Sequence, residues 1–218
     1  MNEEKFKIVI IGDSGVGKTC IINRLIKDSY NEQSCSTIGA AFFSQKIVYK
    51  DNKFSIDYWD TAGQERFRSL LPIYFRNVDI LIIVVDVTAN IKNQLQYWLN
   101  YYENMHFFDK SFINKKYTII LLFSKIDLIN DNFNISTEDK NIYKNYILDD
   151  NVICMSSKKN IGFIELKNSI YEGIYKINEY KKINIFPINQ DINLEEDTSN
   201  NNYLNYYRDL IKKKCNYF

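Results

Sequence analysis

Residues 12–19 combine residue types and a spacing that are suited to holding phosphate. They read Gly-Asp-Ser-Gly-Val-Gly-Lys-Thr and match the pattern G-x-x-x-x-G-K-[ST] at every fixed position. An apolar run precedes them at 6–11, and apolar residues at helical spacing follow at 21–26. A glycine-rich turn between a strand and a helix wraps its backbone N–H groups around a polyphosphate, and the helix N-terminus adds partial positive charge. We therefore predict a nucleotide phosphate site, in which Lys18 reaches the outer phosphates and the Thr19 hydroxyl binds magnesium.

A second group of candidate residues follows the strand-like run 54–59. Asp60 is placed there to hold magnesium through a water molecule. Gly63 can bring its backbone N–H against a terminal phosphate, because it has no β-carbon. Gln64 carries both a donor and an acceptor, which suit it to orienting a water molecule for in-line attack.

Polar residues after two later strands form the candidate base pocket. Residues 124–127, Ser-Lys-Ile-Asp, follow one apolar run, and residues 156–158, Ser-Ser-Lys, follow another. The carboxylate of Asp127 accepts two hydrogen bonds at once, which matches the N1–H and N2–H₂ edge of guanine. Adenine offers no such pair of donors, so this residue predicts a guanine nucleotide.

These candidate sites are carried by alternating strand and helix patterns. The strand-like runs are 6–11, 43–49, 54–59, 80–85, 117–123 and 152–155, and the helical stripes fall at 91–102 and 163–177. A hairpin turn is predicted at 50–53. The pattern predicts an α/β fold with a mostly parallel sheet and one antiparallel strand, with ligands bound at the carboxyl ends of the strands.

The composition is that of one globular domain followed by a tail. The chain has 218 residues, of which 45% are apolar and 25% charged, and we place the domain at 5–178 and a flexible, Asn-rich tail at 179–218. A net charge of +1 argues against nucleic acid as a partner, and no leader or membrane span is expected. The four cysteines show no metal or disulfide spacing, and we expect Cys20 and Cys154 to pack in the core.

Together these motifs resemble the Rab branch of the Ras superfamily of small GTPases over roughly residues 5–178. Besides the phosphate loop, the resemblance rests on STIGAAF at 36–42, WDTAGQERFRS at 59–69, IYFR at 73–76 and VVDVT at 84–88. STIGAAF together with LLPIYFR is most similar to the early-endosomal Rabs. The resemblance implies a phosphate-loop small G domain, whose six-stranded, mostly parallel sheet has one antiparallel strand and five flanking helices.

The resemblance also implies an activity and a set of residues that carry it out. The chain is expected to bind GTP or GDP with Mg²⁺, to hydrolyse GTP, and to switch vesicle transport as a monomer. Gln64, Lys18 and Thr37 are the implied catalytic residues, and Thr19, Thr37 and (through water) Asp60 the implied metal ligands. The implied nucleotide-binding residues are Gly12, Asp13, Ser14, Gly15, Val16, Gly17, Lys18, Thr19, Cys20, Tyr30, Thr37, Gly63, Ser124, Lys125, Asp127, Ser156, Ser157 and Lys158.

Partners are implied in the same way. By the same resemblance, STIGAAF at 36–42 belongs to the first switch segment and residues 59–69 form the second. Tyr30 is expected to pack on the guanine, and Phe42, Trp59 and Tyr74 to display the surface of the two switch segments to effectors. An exchange factor, a GTPase-activating protein, the prenylation and escort machinery and a GDP-dissociation inhibitor are the other implied partners.

Three features depart from the family pattern. Ser124 stands where the family has an asparagine that bonds guanine N7 and the phosphate loop, and serine offers a single hydroxyl. We predict that guanine preference survives through Asp127 while GDP leaves faster than is typical. Ser157 replaces an alanine that acts through its backbone N–H, so this change is expected to be harmless. Residues 107–116 are longer than the family's connection and are interpreted as a surface insertion, with a lineage-specific partner contact as the alternative.

The final residues, KKKCNYF at 212–218, have the shape of a C-a-a-X motif ending in Phe. This predicts geranylgeranylation of Cys215, beside lysines that favour an anionic membrane. An unmodified, exposed thiol is the alternative. With the lipid, the chain is expected to be cytoplasmic and peripheral on the cytosolic face of an intracellular, endosomal-type membrane.

Two other functions remain open at this point. A nucleotide-bound effector scaffold with little turnover is supported only by Ser124. A phosphate-loop kinase of small substrates is disfavoured by Asp-Thr-Ala-Gly-Gln at 60–64, which supplies a water-orienting glutamine and no acceptor pocket.

Overall fold

A six-stranded sheet forms the centre of the chain. The computed structural model describes residues 4–33, 35–108, 118–129 and 133–185. The strands are β1 (Glu4–Ile11), β2 (Ala40–Tyr49), β3 (Asn52–Thr61), β4 (Ile80–Asp86), β5 (Thr118–Ser124) and β6 (Val152–Cys154). Their order in the sheet is β2-β3-β1-β4-β5-β6, and only β2 runs antiparallel to its neighbour. The predicted sheet is therefore confirmed.

The hairpin between β2 and β3 turns more tightly than the sequence predicts. Lys50 and Asp51 both have positive φ, at 47° and 61°, while Asn52 already pairs with Tyr49 in the ladder. Two successive positive φ values are typical of the two-residue turns that match the twist of a hairpin. The predicted hairpin is confirmed, but its turn is 50–51 rather than 50–53, because no glycine marks the two residues that make the turn.

The described residues form five α-helices, which cover the two faces of the sheet as predicted. They are α1 (Lys18–Lys27), α2 (Leu71–Phe75), α3 (Ile91–Phe108), α4 (Thr137–Tyr143) and α5 (Phe163–Ile185). Alternate residues of β1 show how the layers form. Ile8 and Ile10 pack in the apolar cluster that includes α1 and α5, whereas Val9 and Ile11 pack in the cluster that includes α2, α3 and α4. This alternation follows from the two-residue period of a strand.

The last helix passes the predicted edge of the domain. Residue 178 lies inside α5, and one compact unit spans Met1–Ile183. The predicted domain at 5–178 and tail at 179–218 stay predictions. Residues 109–116 of the predicted insertion, and residues 186–218, which include Cys215, lie outside the described residues.

None of the helices that the structure describes has the length and apolar character needed to cross a membrane.

Candidate functional site

The predicted residues gather around one cavity at the carboxyl ends of the strands. The cavity has a volume of about 350 Å³. Of the predicted residues, it is lined by Ser14, Gly15, Val16, Gly17, Lys18, Thr19, Cys20, Tyr30, Thr37, Gly63, Gln64, Ser124, Lys125, Asp127, Ser157 and Lys158. Gly12, Asp13, Asp60 and Ser156 do not line the cavity, but each contacts or hydrogen-bonds a residue that does. The structure thus brings the whole predicted set together, and the binding roles of its members stay predictions.

The phosphate loop places a buried ammonium group at one end of this cavity. Gly17 precedes α1 with φ of 97°, a left-handed conformation that strains other residues. Lys18 is only 6% exposed, and its Nζ donates to Gly12 O at 2.9 Å and to Asp13 O at 2.7 Å. Burial lowers the pKa of this ammonium group to about 8. A poorly hydrated cation at the start of a helix is well suited to binding phosphate oxygens.

Three predicted metal ligands meet beside Lys18. The Thr19 hydroxyl donates to Asp60 Oδ2 at 2.6 Å and lies 2.9 Å from the Thr37 hydroxyl, which is 3.3 Å from the same carboxylate oxygen. Asp60 is fully buried, and its Oδ1 has no hydrogen-bond partner among the described residues. Burial raises the pKa of this carboxyl, while hydrogen bonds from the two threonines and the charge of Lys18 act against the rise.

This arrangement fits a magnesium ion. Magnesium prefers hard oxygen ligands and usually takes one or two carboxylates together with water and phosphate oxygens. A buried carboxylate with an unpaired oxygen and two adjacent hydroxyls supplies such a set. The described residues contain no cluster of three or more acidic, His or Cys side chains that could hold a metal by themselves.

The segment after β3 closes over the phosphate loop. A β-carbon on Gly63 would lie 2.4 Å from both Asp13 O and Lys18 Nζ, so only glycine fits there. Gln64 follows at the start of the 3₁₀ turn Glu65–Leu70, and its Oε1 accepts from Arg66 Nε at 2.8 Å. Gln64 is half-buried and lines the cavity, and its role in hydrolysis stays a prediction.

Ser124 at the end of β5 retains a link to the phosphate loop. Its hydroxyl is buried, 2.8 Å from Val16 O and 3.1 Å from Val85 O. Both neighbours are acceptors, and a hydroxyl has one hydrogen to donate. Ser124 therefore provides the hydrogen bond to the phosphate loop, but it has no second hydrogen to donate to a nucleotide base.

Two further contacts order the base end of the cavity. Ser156 Oγ donates to Asp127 Oδ1 at 2.5 Å and itself accepts from the backbone N–H of Lys159, so the carboxylate is held in one orientation. Lys125 pairs with Asp86 at 2.6 Å. Burial would raise the pKa of Asp86, but hydrogen bonds from Lys125 and Thr88 lower it overall.

Sequence reasoning missed several residues of the cavity wall. Glu32, Cys35, Ser36, Thr61 and Leu128 also line it. Four of them lie in aperiodic segments or at the last position of a strand, where no pattern marks the direction of a side chain.

An ion pair joins the two sides of the cavity mouth. Glu32 pairs with Lys158 at 2.9 Å. Burial and the charge of Glu32 raise the pKa of the neighbouring Tyr30.

The prediction that Cys20 packs in the core is wrong, since it is half-exposed beside the loop, with Sγ 3.8 Å from Asn31 O. Cys154 is half-buried at the edge of the core.

The three predicted switch-surface aromatics form one cluster. The ring centroids of Phe42 and Trp59 are 5.2 Å apart, and those of Trp59 and Tyr74 are 5.4 Å apart. Phe42 is 52% exposed. The cluster thus joins β2, β3 and α2 and still presents an apolar surface.

The fold and the cavity define a phosphate-loop nucleotide-binding domain, and comparison with known proteins agrees. A family model described as Roc, the Ras of Complex domain of DAPkinase, matches residues 7–127, more than half of the chain. The chain is 39% identical over 132 residues to the GTP-binding protein YPT52 of Saccharomyces cerevisiae, covering 57% of this chain and 54% of that protein. It is 31% identical over 141 residues to the Ras-related protein RABG3f of Arabidopsis thaliana, covering 62% and 64%. It is 50% identical over 82 residues to the Ras-related protein RABF2b of the same plant, covering 38% and 41%.

The chain belongs to this Ras-like family, and the relatives that it matches are named as GTP-binding or Ras-related proteins. The matched stretch spans less than two thirds of the length of each of these relatives.

Proposed function

We propose that the chain binds GTP and GDP with magnesium, hydrolyses GTP slowly, and acts as a molecular switch in vesicle transport. The main support is the convergence of Thr19, Thr37 and Asp60, from three separate segments, at the phosphate end of the cavity. Hydroxyls from the phosphate loop and the first switch segment meet there on a carboxylate from the end of β3. A nucleotide-dependent switch requires these segments to meet at the outer phosphate, because loss of that phosphate then releases the segment that carries Thr37.

The proposed chemistry is an in-line attack of water on the γ-phosphate. Loop N–H groups and Lys18 hold the phosphates, and Thr19, Thr37 and Asp60 hold magnesium. When bound, the metal neutralises negative charge on the β- and γ-phosphates. Gln64 orients the attacking water through its side-chain amide. The amide oxygen must first lose its hydrogen bond from Arg66 Nε, and this bond is exposed and therefore weak enough to break.

Hydrolysis of GTP by the chain alone is expected to be slow. The sequence offers no obvious built-in arginine finger, so we expect an activating protein to supply one in trans, with an acceleration of about 10³–10⁵-fold. The segments around Thr37 and Gly63 would relax after hydrolysis. The exposed aromatic cluster of Phe42, Trp59 and Tyr74 is the proposed contact for effectors.

The membrane address is also part of the proposal. We propose that Cys215 is geranylgeranylated and that the lysines before it add an electrostatic attraction to anionic lipid. Resemblance at 36–42 and 70–76 supports an endosomal-type membrane. Delivery would use an escort protein, and recycling a GDP-dissociation inhibitor.

The two alternative functions, a nucleotide-bound scaffold and a small-substrate kinase, receive little support. A nucleotide-bound scaffold with little turnover has no support from the relatives, and Ser124 keeps its hydrogen bond to the phosphate loop. A small-substrate kinase needs an acceptor pocket, whereas Gln64 and Gly63 occupy the phosphate end of this cavity.

The test is nucleotide binding and single-turnover hydrolysis by the purified full chain. Labelled GDP and GTP should bind with magnesium, and excess ATP should not displace them. Gln64→Leu should retain GTP binding and lose hydrolysis, with the wild type as the matched reference. Unselective binding, or hydrolysis that is unchanged in Gln64→Leu, would overturn the proposal.

A further inference from the structure

We propose that Arg68 is a positioning residue for GTP hydrolysis, which joins the segment carrying Gln64 to the phosphate loop and to α3. The inference rests on the proposed function, since it concerns the rate of that reaction.

Arg68 is tied to the phosphate loop on one side. Its Nη2 lies 3.1 Å from Oδ1 of Asp13, the second residue of the loop. The backbone oxygen of Asp13 accepts from Lys18 Nζ, and the same oxygen lies where a β-carbon on Gly63 would clash. One loop residue therefore contacts the phosphate-binding lysine, the glycine of the second switch segment and Arg68.

Arg68 is held by α3 on the other side. Its guanidinium carbon lies 4.4 Å from the ring centroid of Tyr97 and 5.5 Å from that of Trp98. Trp98 is 1% exposed, so this surface is fixed by the core. A planar cation over an aromatic face is attracted by the negative face of the ring, and the ammonium group of lysine reproduces this stacking poorly.

These two contacts matter because most residues of the turn are exposed. No residue of the 3₁₀ turn Glu65–Leu70 is buried. The turn begins directly after Gln64, whose backbone oxygen accepts from Phe67 N at 3.0 Å. Fixing Arg68 therefore fixes the backbone that aims Gln64 into the cavity.

Loss of the two contacts should affect the reaction more than binding. In-line attack requires a narrow geometry between the water and the phosphorus, so a looser glutamine reduces the rate. Nucleotide affinity comes from the loop amides, Lys18 and the base pocket, whereas Arg68 contacts the loop through the side-chain carboxylate of Asp13. The structure thus assigns Arg68 a role in hydrolysis and little role in affinity.

The experiment measures single-turnover GTP hydrolysis and equilibrium GDP and GTP affinity for full-length variants. Arg68→Ala should hydrolyse GTP roughly 3- to 10-fold more slowly, the range expected for loss of a partly exposed ion pair and a cation–π contact. Arg68→Lys should recover part of this rate. Arg76→Ala, which removes an exposed arginine from the same region, should match the wild type.

A second variant tests whether Arg68 acts through Asp13. Asp13→Asn keeps the backbone oxygen that Lys18 uses but removes the ion pair, so it should slow hydrolysis. The double variant Asp13→Asn/Arg68→Ala should be hardly slower than Arg68→Ala, because both changes break the same contact.

The possible results separate the two proposals. A wild type that neither binds nor hydrolyses GTP refutes the proposed function, and this is visible without any variant. If the wild type is active, positioning is overturned by an Arg68→Ala rate equal to the wild type, by an equal loss of affinity and rate, or by Asp13→Asn having no effect on the rate. Thermal unfolding of each variant identifies a general loss of folding, which would also weaken nucleotide binding.

Discussion

Ser124→Asn is expected to slow GDP release from this chain. Ser124 Oγ is 2.8 Å from Val16 O and 3.1 Å from Val85 O, and its single hydrogen is used by one of these carbonyls. Guanine N7 is an acceptor and therefore finds no donor at this position. The amide of asparagine has two N–H groups, one for Val16 O and one for N7.

The expected effect is that of one added hydrogen bond. Such a bond contributes about 1–2 kcal/mol, which corresponds to roughly 5- to 30-fold in the dissociation rate if association is unchanged. The opposite change, Ser124→Ala, leaves the buried Val16 carbonyl without its partner. It should therefore speed GDP release and disturb the phosphate loop.

The assay follows release of fluorescent GDP into excess unlabelled GDP, for the wild type and both variants with magnesium present. An order of Ser124→Ala fastest, wild type intermediate and Ser124→Asn slowest supports the reasoning. Equal rates for the wild type and Ser124→Asn would refute it, provided that both proteins unfold at similar temperatures. Affinity for GDP over ADP should be high in all three proteins, because Asp127 is unchanged.

Two further variants test the phosphate end and the far end of the fold. Gly63→Ala should slow hydrolysis roughly 10- to 100-fold by pushing the second switch segment away from Asp13 O and Lys18 Nζ, and GDP affinity should fall less than the rate. An equal fall in both, measured by single-turnover and binding assays, would contradict this. Hydrogen bonds from Lys50 and Tyr49 lower the pKa of Glu172, and slight burial acts against this. The ionised carboxylate therefore stabilises the fold above its ordinary pKa of about 4.3, and this stabilisation is lost as the pH falls through the lowered pKa. The difference in unfolding free energy between wild type and Glu172→Gln should shrink from about pH 7 to about pH 3, and a constant difference would contradict the assignment.

The architecture of the site could be predicted because it follows from local patterns. Apolar runs without polar interruption identify strands covered on both faces, and parallel strands bring their carboxyl ends to one edge of the sheet. Asp60 directly follows the predicted strand run 54–59, and Ser124 directly follows the run 117–123, so their meeting with the phosphate loop was implied by position alone. Thr37 lies in an aperiodic loop, and only the family motif connected it to Asp60.

What could not be predicted depends on side-chain direction and on turns without marker residues. The turn at Lys50 and Asp51 uses positive φ in residues that seldom adopt it, so the sequence carries no glycine signal there. The pairing of Arg68 with Asp13 joins residues 55 positions apart through long side chains, and no periodicity reports such a contact. Cys20 has an apolar neighbourhood in sequence but lies on the face of α1 that meets the cavity.

The substitution at Ser124 separates two tasks that a single asparagine performs in the family pattern. One task is to brace the phosphate loop, and the serine hydroxyl does this through Val16 O. The other is to donate to the base, for which no hydrogen remains. The phosphate end, where Thr19, Thr37 and Asp60 meet, is untouched by the change, so switching and hydrolysis should be preserved while the bound nucleotide leaves sooner. A chain of this kind would depend less on an exchange factor to reload GTP, and its active fraction would be set more by the rate of hydrolysis.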